Sequence, residues 1–362
     1  MSATRFFELP SPFVLRRGGS LAGARLAYET WGELNPAGDN AILILTGLSP
    51  SAHAAAGRDD PSPGWWEAMI GVGKAIDTRR FFVICVNSLG SCKGSTGAAS
   101  PHPDDHLPYR LRFPDICLED VAQSAQLLVA GLGIRQLKAL IGPSMGGMSA
   151  LAYGVMFPGQ APNMVLISTA PHSLPFATAI RSLQRECIRR DPRWLDGNYA
   201  SDSWPEDGFR LARKLGMVTY RSAQEWRGRF GRKRVSQPST QAFGREFEVE
   251  AYLDAHADRF VGSFDPNCYL YLSRAMDWFD LADHGGAVDI ALAKMQVRRA
   301  LVIGVPSDIL FPIEQQREIA EGLRSAGGVV DFYALPSIQG HDSFLVDFER
   351  FAPPVADFLG CL

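Results

Sequence analysis

Residues 137–153 read LKALIGPSMGGMSALAY, and this stretch decides the fold. Its first six residues form an apolar run that predicts a buried strand, and the apolar residues from Met148 onward predict a helix. Between them lies a G-x-S-x-G pattern centred on Ser144. In this setting the pattern predicts a tight, strained turn that exposes the serine hydroxyl above a sheet. The alternative is a glycine-rich turn without chemistry.

Strand-like apolar runs alternate with helical patterns on both sides of this turn, which predicts a mostly parallel, doubly wound α/β sheet. The predicted strands are Leu26–Thr30, Ala41–Thr46, Phe81–Asn87, Leu137–Gly142, Met164–Ser168, Ala300–Gly304 and Val329–Ala334. Helical patterns cover Leu118–Gly131, Met148–Phe157 and Asp347–Leu359.

A middle segment lacks the Val/Ile runs of buried parallel strands. It predicts helices at Ile180–Arg189, Gly208–Leu215 and Val249–Arg259, with an exposed basic loop at Gly228–Gln241. We therefore expect a core domain in two parts, residues 1–175 and 298–362, interrupted by a helical lid insertion at residues 176–297.

A serine nucleophile needs a neighbouring base and a carboxylate that orients the base. His341 follows the last predicted strand, and Asp308 follows the strand before it. The carboxyl ends of parallel strands meet at one sheet edge, so we expect both beside Ser144. Asp308 alone could instead cap a helix before Pro312. His53 and His172 are candidates for supporting positions near the site.

The oxyanion of an acyl-transfer intermediate needs two backbone N–H donors. One is expected from Met145, directly after the nucleophile, and the other from Leu45, at the end of an early strand. The alternative for the second position is that Thr46-Gly47 is only a turn.

Composition excludes several functional classes. The 362 residues have a formal net charge of −3, which offers no basic surface for nucleic acid or anionic lipid. No apolar run is long enough to span a membrane, and no export signal is evident at the N-terminus. The six cysteines are scattered, so they predict reduced thiols rather than a metal site, in a cytoplasmic protein.

Further motifs, in the same order along nearly the whole chain, resemble the homoserine O-acetyltransferase family of α/β-hydrolase-fold acyltransferases. Besides the serine turn, they are Leu45-Thr46-Gly47, residues 87–97 (NSLGSCKGSTG), residues 212–216 (ARKLG), residues 264–270 (FDPNCYL) and Gly340-His341-Asp342. The resemblance implies an α/β-hydrolase fold and a cytoplasmic homodimer without a cofactor. It also implies that acyl-CoA, the co-substrate, acylates Ser144, and that an amino-acid hydroxyl then takes the acyl group.

The same resemblance assigns two substrate-binding positions. The family's arginine that holds the substrate falls on Arg213, and its substrate-binding aspartate on Asp342. A guanidinium suits an α-carboxylate and a carboxylate suits an α-ammonium, so chemistry agrees with both roles. The alternative for Arg213 is a solvated cation on a helix surface.

Departures from the acetyltransferase pattern resemble the serine O-succinyltransferase branch of the family. The main departure is the segment Pro50-Ser51-Ala52-His53, which implies L-serine as acceptor and succinyl-CoA as donor, toward cysteine synthesis. Leu310 by itself suggests acetyl, because homoserine O-succinyltransferases tend to carry an arginine there. A succinyl carboxylate would then need another cation. Arg185 is the candidate, and its alternative is an ordinary helix-surface arginine.

Three other functions remain open at this point. The chain could be a homoserine O-acetyl- or O-succinyltransferase, since one methylene separates the two acceptors. It could be an esterase that uses the same three residues, although a lid that excludes water favours transfer. It could be a scaffold without activity, which the presence of serine, aspartate and histidine on three separate loops argues against.

Overall fold

The structure, a computed structural model, describes residues 3–200 and 202–362. Eight strands form one sheet in the order β1-β2-β4-β3-β5-β6-β7-β8. Strand β2 runs antiparallel to both of its neighbours, and all other neighbouring pairs are parallel. The strands are β1 (Arg5–Glu8), β2 (Arg25–Trp31), β3 (Ala41–Leu45), β4 (Phe82–Val86), β5 (Ala139–Pro143), β6 (Asn163–Ile167), β7 (Arg299–Gly304) and β8 (Val329–Ala334). The mostly parallel sheet predicted from the sequence is confirmed.

Side chains of the central strands alternate between two apolar layers. In β3, Leu43 joins the layer that contains helix residues such as Leu151, whereas Ile42 and Ile44 join the opposite layer with Phe351. Because both faces are covered, the central strands are apolar at nearly every position. This explains why continuous apolar runs, rather than alternating ones, mark them in the sequence.

The seven predicted strands all exist, with ends within two residues of those observed. The sequence analysis missed β1, which has four residues and lies at the sheet edge beside β2. Three of its residues are exposed. A short edge strand needs no apolar run, so it left no signal.

Eleven α-helices are found in the described part of the chain. The core carries α1 (Leu118–Gly131), α2 (Met145–Met156), α9 (Ile313–Ser325), α10 (Ser343–Val346) and α11 (Phe348–Gly360). Between β6 and β7 lie α3 (Pro175–Arg190), α4 (Glu206–Tyr220), α5 (Ala223–Phe230), α6 (Glu248–Phe260), α7 (Pro266–Trp278) and α8 (Val288–Lys294). No described helix is long and apolar enough to cross a membrane.

The segment between β6 and β7 is helical and contributes no strand to the sheet over its described residues, 168–200 and 202–298. The sequence analysis did not predict α5, α7 and α8 there, nor α9 and α10 in the core. In α7, ten of the 13 residues are buried, so apolar side chains cover most of the helix and obscure its helical period. The predicted exposed loop at residues 228–241 needs a correction as well. Its first three residues complete α5, where Phe230 is buried.

Candidate active site

Ser144 lies on the turn between β5 and α2 in an unusual backbone conformation, with φ 55° and ψ −126°. Its N–H donates a hydrogen bond to the Ile167 carbonyl oxygen at 2.9 Å. Its own carbonyl accepts one from Thr169 Oγ1 at 2.8 Å. A positive φ is costly for a residue with a side chain and persists where surrounding bonds enforce it. The strained turn predicted from G-x-S-x-G is present.

Three glycines around Ser144 allow this turn to pack. A Cβ on Gly142 would lie 2.4 Å from the Gly146 carbonyl oxygen, and one on Gly146 would lie 2.0 Å from the Leu45 carbonyl oxygen. A Cβ on Gly147 would lie 2.5 Å from the Thr169 side chain. The pattern therefore reflects close backbone approach between the serine turn and the end of β3.

The structure brings His341 and Asp308 to Ser144. His341 Nε2 lies 2.8 Å from Ser144 Oγ, and His341 Nδ1 lies 2.7 Å from Asp308 Oδ2. With the proton on Nδ1, the imidazole donates to the carboxylate and accepts from the hydroxyl. Asp308 Oδ1 accepts the backbone N–H groups of Leu310 and Phe311, each at 2.9 Å. Asp308 thus stabilises its own turn, while the N-cap of α9 is Pro312.

The environment of His341 favours its protonation. Burial opposes the imidazolium, but the charge and hydrogen bond of Asp308, together with the charge of Asp342, outweigh it and raise the pKa of His341. The Phe311 ring stacks on the imidazole at a centroid distance of 4.8 Å, and Phe344 meets it edge-on at 5.7 Å. These contacts fix the plane of the base while leaving Nε2 directed at Ser144.

The end of α4 packs against the loop that carries His341. A Cβ on Gly340 would lie 2.7 Å from the Tyr220 carbonyl oxygen, and Gly340 adopts φ 64°. Arg221 Nη1 donates to Gln339 Oε1 at 3.2 Å, and Arg221 Nε lies 3.2 Å from Asp342 Oδ2. The helical segment therefore contacts the base-bearing loop directly.

A cavity of about 170 Å³ opens above Ser144, between the sheet and the helices that follow β6. Its wall combines backbone, aromatic and charged groups. The lining residues are Gly47, Leu48, Ser49, Pro50, Trp65, Pro143, Ser144, Arg181, Gln184, Arg213, Thr219, Tyr220, Tyr269, Met276, Leu310, Phe311, His341, Asp342, Phe344 and Leu345.

Arg213 and Asp342, the two predicted substrate-binding residues, both line this cavity. The Arg213 guanidinium carbon lies 4.3 Å from the centre of the Phe260 ring, and the buried Arg213 Nε has no hydrogen-bond partner among the described residues. Burial raises the pKa of Asp342, although Arg221 opposes the shift. The two positions present a cation and a carboxylate to one small space, so Arg213 is not the solvated cation of the alternative interpretation.

The sequence analysis named Arg185 as the cation for the succinyl carboxylate, and the position of this residue in the structure corrects that prediction. Arg185 does not line the Ser144 cavity; its Nη1 lies 2.6 Å from Asp277 Oδ2, and the residue faces two outer cavities. Arg181, one helical turn earlier, lines the Ser144 cavity instead. Helical periodicity could not separate the two, since both lie on the inner side of α3. Leu310 does line the cavity and contributes only an apolar surface.

The segment predicted to govern acceptor choice meets the cavity at one of its four residues. Pro50 lines the wall, whereas Ser51, Ala52 and His53 do not. His53 Nδ1 lies 2.9 Å from Glu29 Oε2, with Glu29 almost fully buried. This pair holds the segment to β2, so His53 supports the wall from behind.

Three other residues predicted to act in or near the site do not line the cavity. Met145 is the first residue of α2, so its N–H has no intrahelical acceptor and remains a candidate oxyanion donor. Leu45 ends β3 against the serine turn, but Gly47 and Leu48 line the cavity in its place. His172 lies outside the cavity wall. The described residues contain no group of three side chains suited to holding a metal ion.

Comparison with known proteins shows the family to which the chain belongs. The family described as the alpha/beta hydrolase fold matches residues 40–346. The chain belongs to the α/β-hydrolase fold family. It is 62% identical to the serine O-succinyltransferase of Frateuria aurantia, with 99% of each sequence aligned. The family resemblance and the fold class predicted from the sequence are confirmed.

Two solved structures superpose on nearly the whole chain. The homoserine O-acetyltransferase from Bacillus anthracis gives a TM-score of 0.90 at 27% identity, covering 99% of this chain and 98% of that one. Esterase E22 gives a TM-score of 0.89 at 30% identity, covering 98% of this chain and 99% of that one. The same architecture therefore occurs in proteins named as a transferase and as an esterase.

Replacing Gly146 should damage the serine turn. We expect Gly146→Ala to lower the free energy of unfolding by about 3 kcal/mol, because its Cβ would meet the Leu45 backbone. Gly228→Ala is the control, since this glycine lies on α5 with open space around it and should gain roughly 0.5–1 kcal/mol. Urea titration measures both, and equal stability of the two variants would contradict the packing argument.

The pH dependence of Ser144 acylation should report the raised pKa of His341. The neutral imidazole accepts the serine proton, so kcat/KM should fall as the pH drops through a value above the ordinary 6.5. Asp342→Asn removes one charge that raises this pKa. The loss of kcat/KM on the acidic side of the pH profile should therefore move to lower pH. The pH profile of kcat/KM is measured as CoA release from acyl-CoA in the absence of amino acid. Asp331→Asn, on an exposed position of β8, should leave it in place.

An acidic limb below pH 6.5 in the wild type would contradict the first expectation. An acidic side of the pH profile that stays in place in Asp342→Asn would contradict the expectation for that variant.

Proposed function

We propose that the protein transfers a succinyl group from succinyl-CoA to the hydroxyl of L-serine through an ester on Ser144. The observation that carries the proposal is a single cavity that holds both chemistry and recognition. Ser144 Oγ lies 2.8 Å from His341 Nε2, and the same wall presents Arg213 and Asp342. No cofactor is needed for this reaction, because succinyl-CoA supplies the acyl group and the amino acid accepts it.

In the first step Ser144 attacks the thioester carbonyl. His341 Nε2 accepts the hydroxyl proton, and Asp308 stabilises the imidazolium that forms. The backbone N–H of Met145 and one from the loop after β3 stabilise the oxyanion. The carbon–sulfur bond then breaks, the imidazolium gives its proton to the CoA thiolate, and the succinyl ester of Ser144 remains.

In the second step the amino-acid hydroxyl attacks this ester. Arg213 is suited to hold the α-carboxylate through parallel hydrogen bonds, and Asp342 is suited to hold the α-ammonium. His341 accepts the proton of the attacking hydroxyl and returns one to Ser144 Oγ as the ester bond breaks. The products of the two steps are O-succinylserine and free CoA. The reaction follows a ping-pong mechanism and serves cysteine biosynthesis.

Three observations favour transfer over hydrolysis. The chain is 62% identical to a serine O-succinyltransferase and 30% identical to esterase E22. The cavity also contains a cation and a carboxylate arranged for a zwitterion, which an esterase with neutral substrates does not need. Helices of the segment at residues 176–297 roof the cavity as a lid and limit the access of water to the acyl ester.

L-Serine is preferred over homoserine because the chain is 62% identical to a serine O-succinyltransferase. Pro50 lies at the cavity wall and is one contact that limits the length of the acceptor. The discrimination should be moderate, because one methylene is worth about 1–3 kcal/mol in an apolar pocket. The alternative acceptor, homoserine, would serve methionine biosynthesis.

The oligomeric state and compartment belong to the same proposal. A homodimer is supported by exposed apolar side chains one heptad apart on the paired helices, Phe176 and Leu183 on α3, and Leu211 and Val218 on α4. Sedimentation at micromolar concentration distinguishes it from a monomer. Six free cysteines support a reducing compartment such as the cytoplasm.

An assay of CoA release tests the proposed reaction. With succinyl-CoA as donor, we expect L-serine to accelerate steady CoA release and to be converted to O-succinylserine, detected by mass spectrometry. L-Homoserine, acetyl-CoA and buffer alone are offered in parallel, and Ser144→Ala is the inactive control. CoA release at a rate independent of every amino acid would identify a hydrolase instead.

Arg213→Ala should separate the two steps. We expect the KM for L-serine to rise about 10- to 150-fold, because a charged hydrogen-bond partner of the α-carboxylate is lost. Acylation of Ser144, measured as the burst of CoA release, should remain. Arg210→Ala is the control, since Arg210 lies on the same helix outside the cavity. Equal loss of both steps would contradict this role.

A further inference from the structure

His53 lies behind the cavity wall, and its imidazole ring meets three oxygen atoms. His53 Nδ1 lies 2.9 Å from Glu29 Oε2. His53 Nε2 lies 2.9 Å from the Ser62 carbonyl oxygen and 3.2 Å from Ser62 Oγ. The Ser62 hydroxyl donates its own proton to Asp60 Oδ1 at 2.6 Å. The Ser62 oxygens therefore only accept hydrogen bonds from the ring.

This arrangement requires that both ring nitrogens carry a proton, so His53 is an imidazolium. A carbonyl oxygen is an acceptor only, so Nε2 keeps its proton toward Ser62. A glutamic acid is a stronger acid than an imidazolium, so the proton between Glu29 and Nδ1 stays on the ring. Burial opposes the charged ring, but the hydrogen bonds to Glu29 and Ser62, together with the charges of Glu29 and Asp60, outweigh it and raise the pKa of His53.

Glu29 supplies the counterion of this imidazolium. It lies on β2 and is 2% exposed, and its Oε1 accepts a hydrogen bond from the Thr4 hydroxyl at 2.7 Å. Within the described ranges, His53 is the one cation that forms an ion pair with it. On β4, Cys85 lies opposite Glu29, and burial together with the Glu29 charge raises the pKa of this thiol, which keeps it neutral. The charged groups that face His53 are therefore Glu29 and Asp60, both negative.

The imidazolium holds a segment that forms part of the cavity wall. Residues 50–65, here called the wall segment, contribute Pro50 and Trp65 to the cavity lining. The Trp65 N–H donates to the His53 carbonyl oxygen at 3.4 Å. The His53 ring adds one hydrogen bond to β2 and one to Ser62, on the returning arm of the segment. Loss of a ring proton would replace one of these hydrogen bonds by two acceptors that face each other.

We propose that Glu29 is a positioning residue: it keeps His53 in the charged form that holds the wall segment, so that loss of this proton at alkaline pH weakens binding of the amino acid. This inference rests on the proposed function and deepens it. Because the pKa of His53 is raised, the charged form is present at neutral pH and is lost as the pH rises through that pKa. Neither residue lines the cavity, so both act through the wall and not on the chemistry of Ser144.

The first test is the pH profile of the KM for L-serine, measured from neutral to alkaline pH. In the wild type, we expect KM to rise with pH while kcat at saturating L-serine changes less. Glu29→Gln removes the counterion, so the rise should begin at lower pH. Its KM at neutral pH should exceed the wild-type value about 10-fold, the equivalent of one lost hydrogen bond to a charged group.

Two comparisons isolate the effect of Glu29 in this test. The ammonium group of L-serine titrates identically with every variant, so a difference between two profiles belongs to the protein. Glu8→Gln is the matched control, since Glu8 is an exposed carboxylate on β1, the strand beside β2. It should keep the wild-type profile.

The second test reads the charge of His53 by nitrogen NMR of the full chain with isotope-labelled histidine. The spectrum of His53→Gln assigns the signals. In the wild type at neutral pH, both ring nitrogens of His53 should be protonated. In Glu29→Gln, the ring should lose its second proton at a lower pH than in the wild type. This measurement requires no substrate, so it does not depend on the proposed reaction.

A neutral His53 in the wild type at neutral pH would overturn the inference. A KM profile of Glu29→Gln that coincides with the wild-type profile, or a loss of kcat with unchanged KM, would overturn it as well. If Glu29→Gln does not fold, Asp60→Asn replaces it and should shift both measurements in the same direction by a smaller amount. A wild type that carries a charged His53 but transfers nothing to L-serine would reject the proposed function, and with it the role of the ion pair in binding the amino acid.

Discussion

The hydrogen bond between Ser144 Oγ and His341 Nε2 joins residues that are 197 positions apart in the sequence. It can form because β5, β7 and β8 run parallel and end at one edge of the sheet, where the loops that follow them meet. The strained turn at Ser144 and the buried carboxylate of Asp308 fix its two ends. Every other feature of the site is arranged around this contact.

The helices between β6 and β7 add charged side chains to a centre whose Ser144, Asp308 and His341 follow strands of the sheet. Arg181 comes from α3 and Arg213 from α4, and both reach the cavity above Ser144. Arg221, directly after α4, contacts Gln339 and Asp342 on the loop that carries His341. The helical segment therefore does more than cover the site: it places two arginines on the cavity wall.

Distribution of charge distinguishes this cavity from a simple ester-binding pocket. One pair of opposite charges, Arg213 and Asp342, suits a zwitterion, and the cluster of Arg181, Asp277 and Arg185 carries one surplus positive charge. Charges taken out of water need partners, so a cavity with such an arrangement favours substrates that supply the complementary charges. A similar architecture occurs in proteins named as a transferase and as an esterase.

The sequence by itself determined the strands, the serine turn and the three groups expected to act together, because these depend on local patterns. Apolar runs mark strands buried on both faces, and glycines mark the close approach of backbone at Ser144. Motif resemblance also drew attention to Arg213 and Asp342, which both line the cavity. The sequence analysis missed β1, which is short and mostly exposed, and α7, in which ten of 13 residues are buried. It also missed the helices α5, α8 and α9.

Tertiary structure alone decided which side chains reach the cavity. Arg181 and Arg185 are one helical turn apart, and only the packing of α3 against α7 shows that the first meets the cavity and the second meets Asp277 from outside. Likewise, Pro50 lines the wall while His53 turns back to Glu29. The physical reason is that local spacing fixes a side chain's direction on its own element, whereas the neighbours it meets depend on contacts between distant segments.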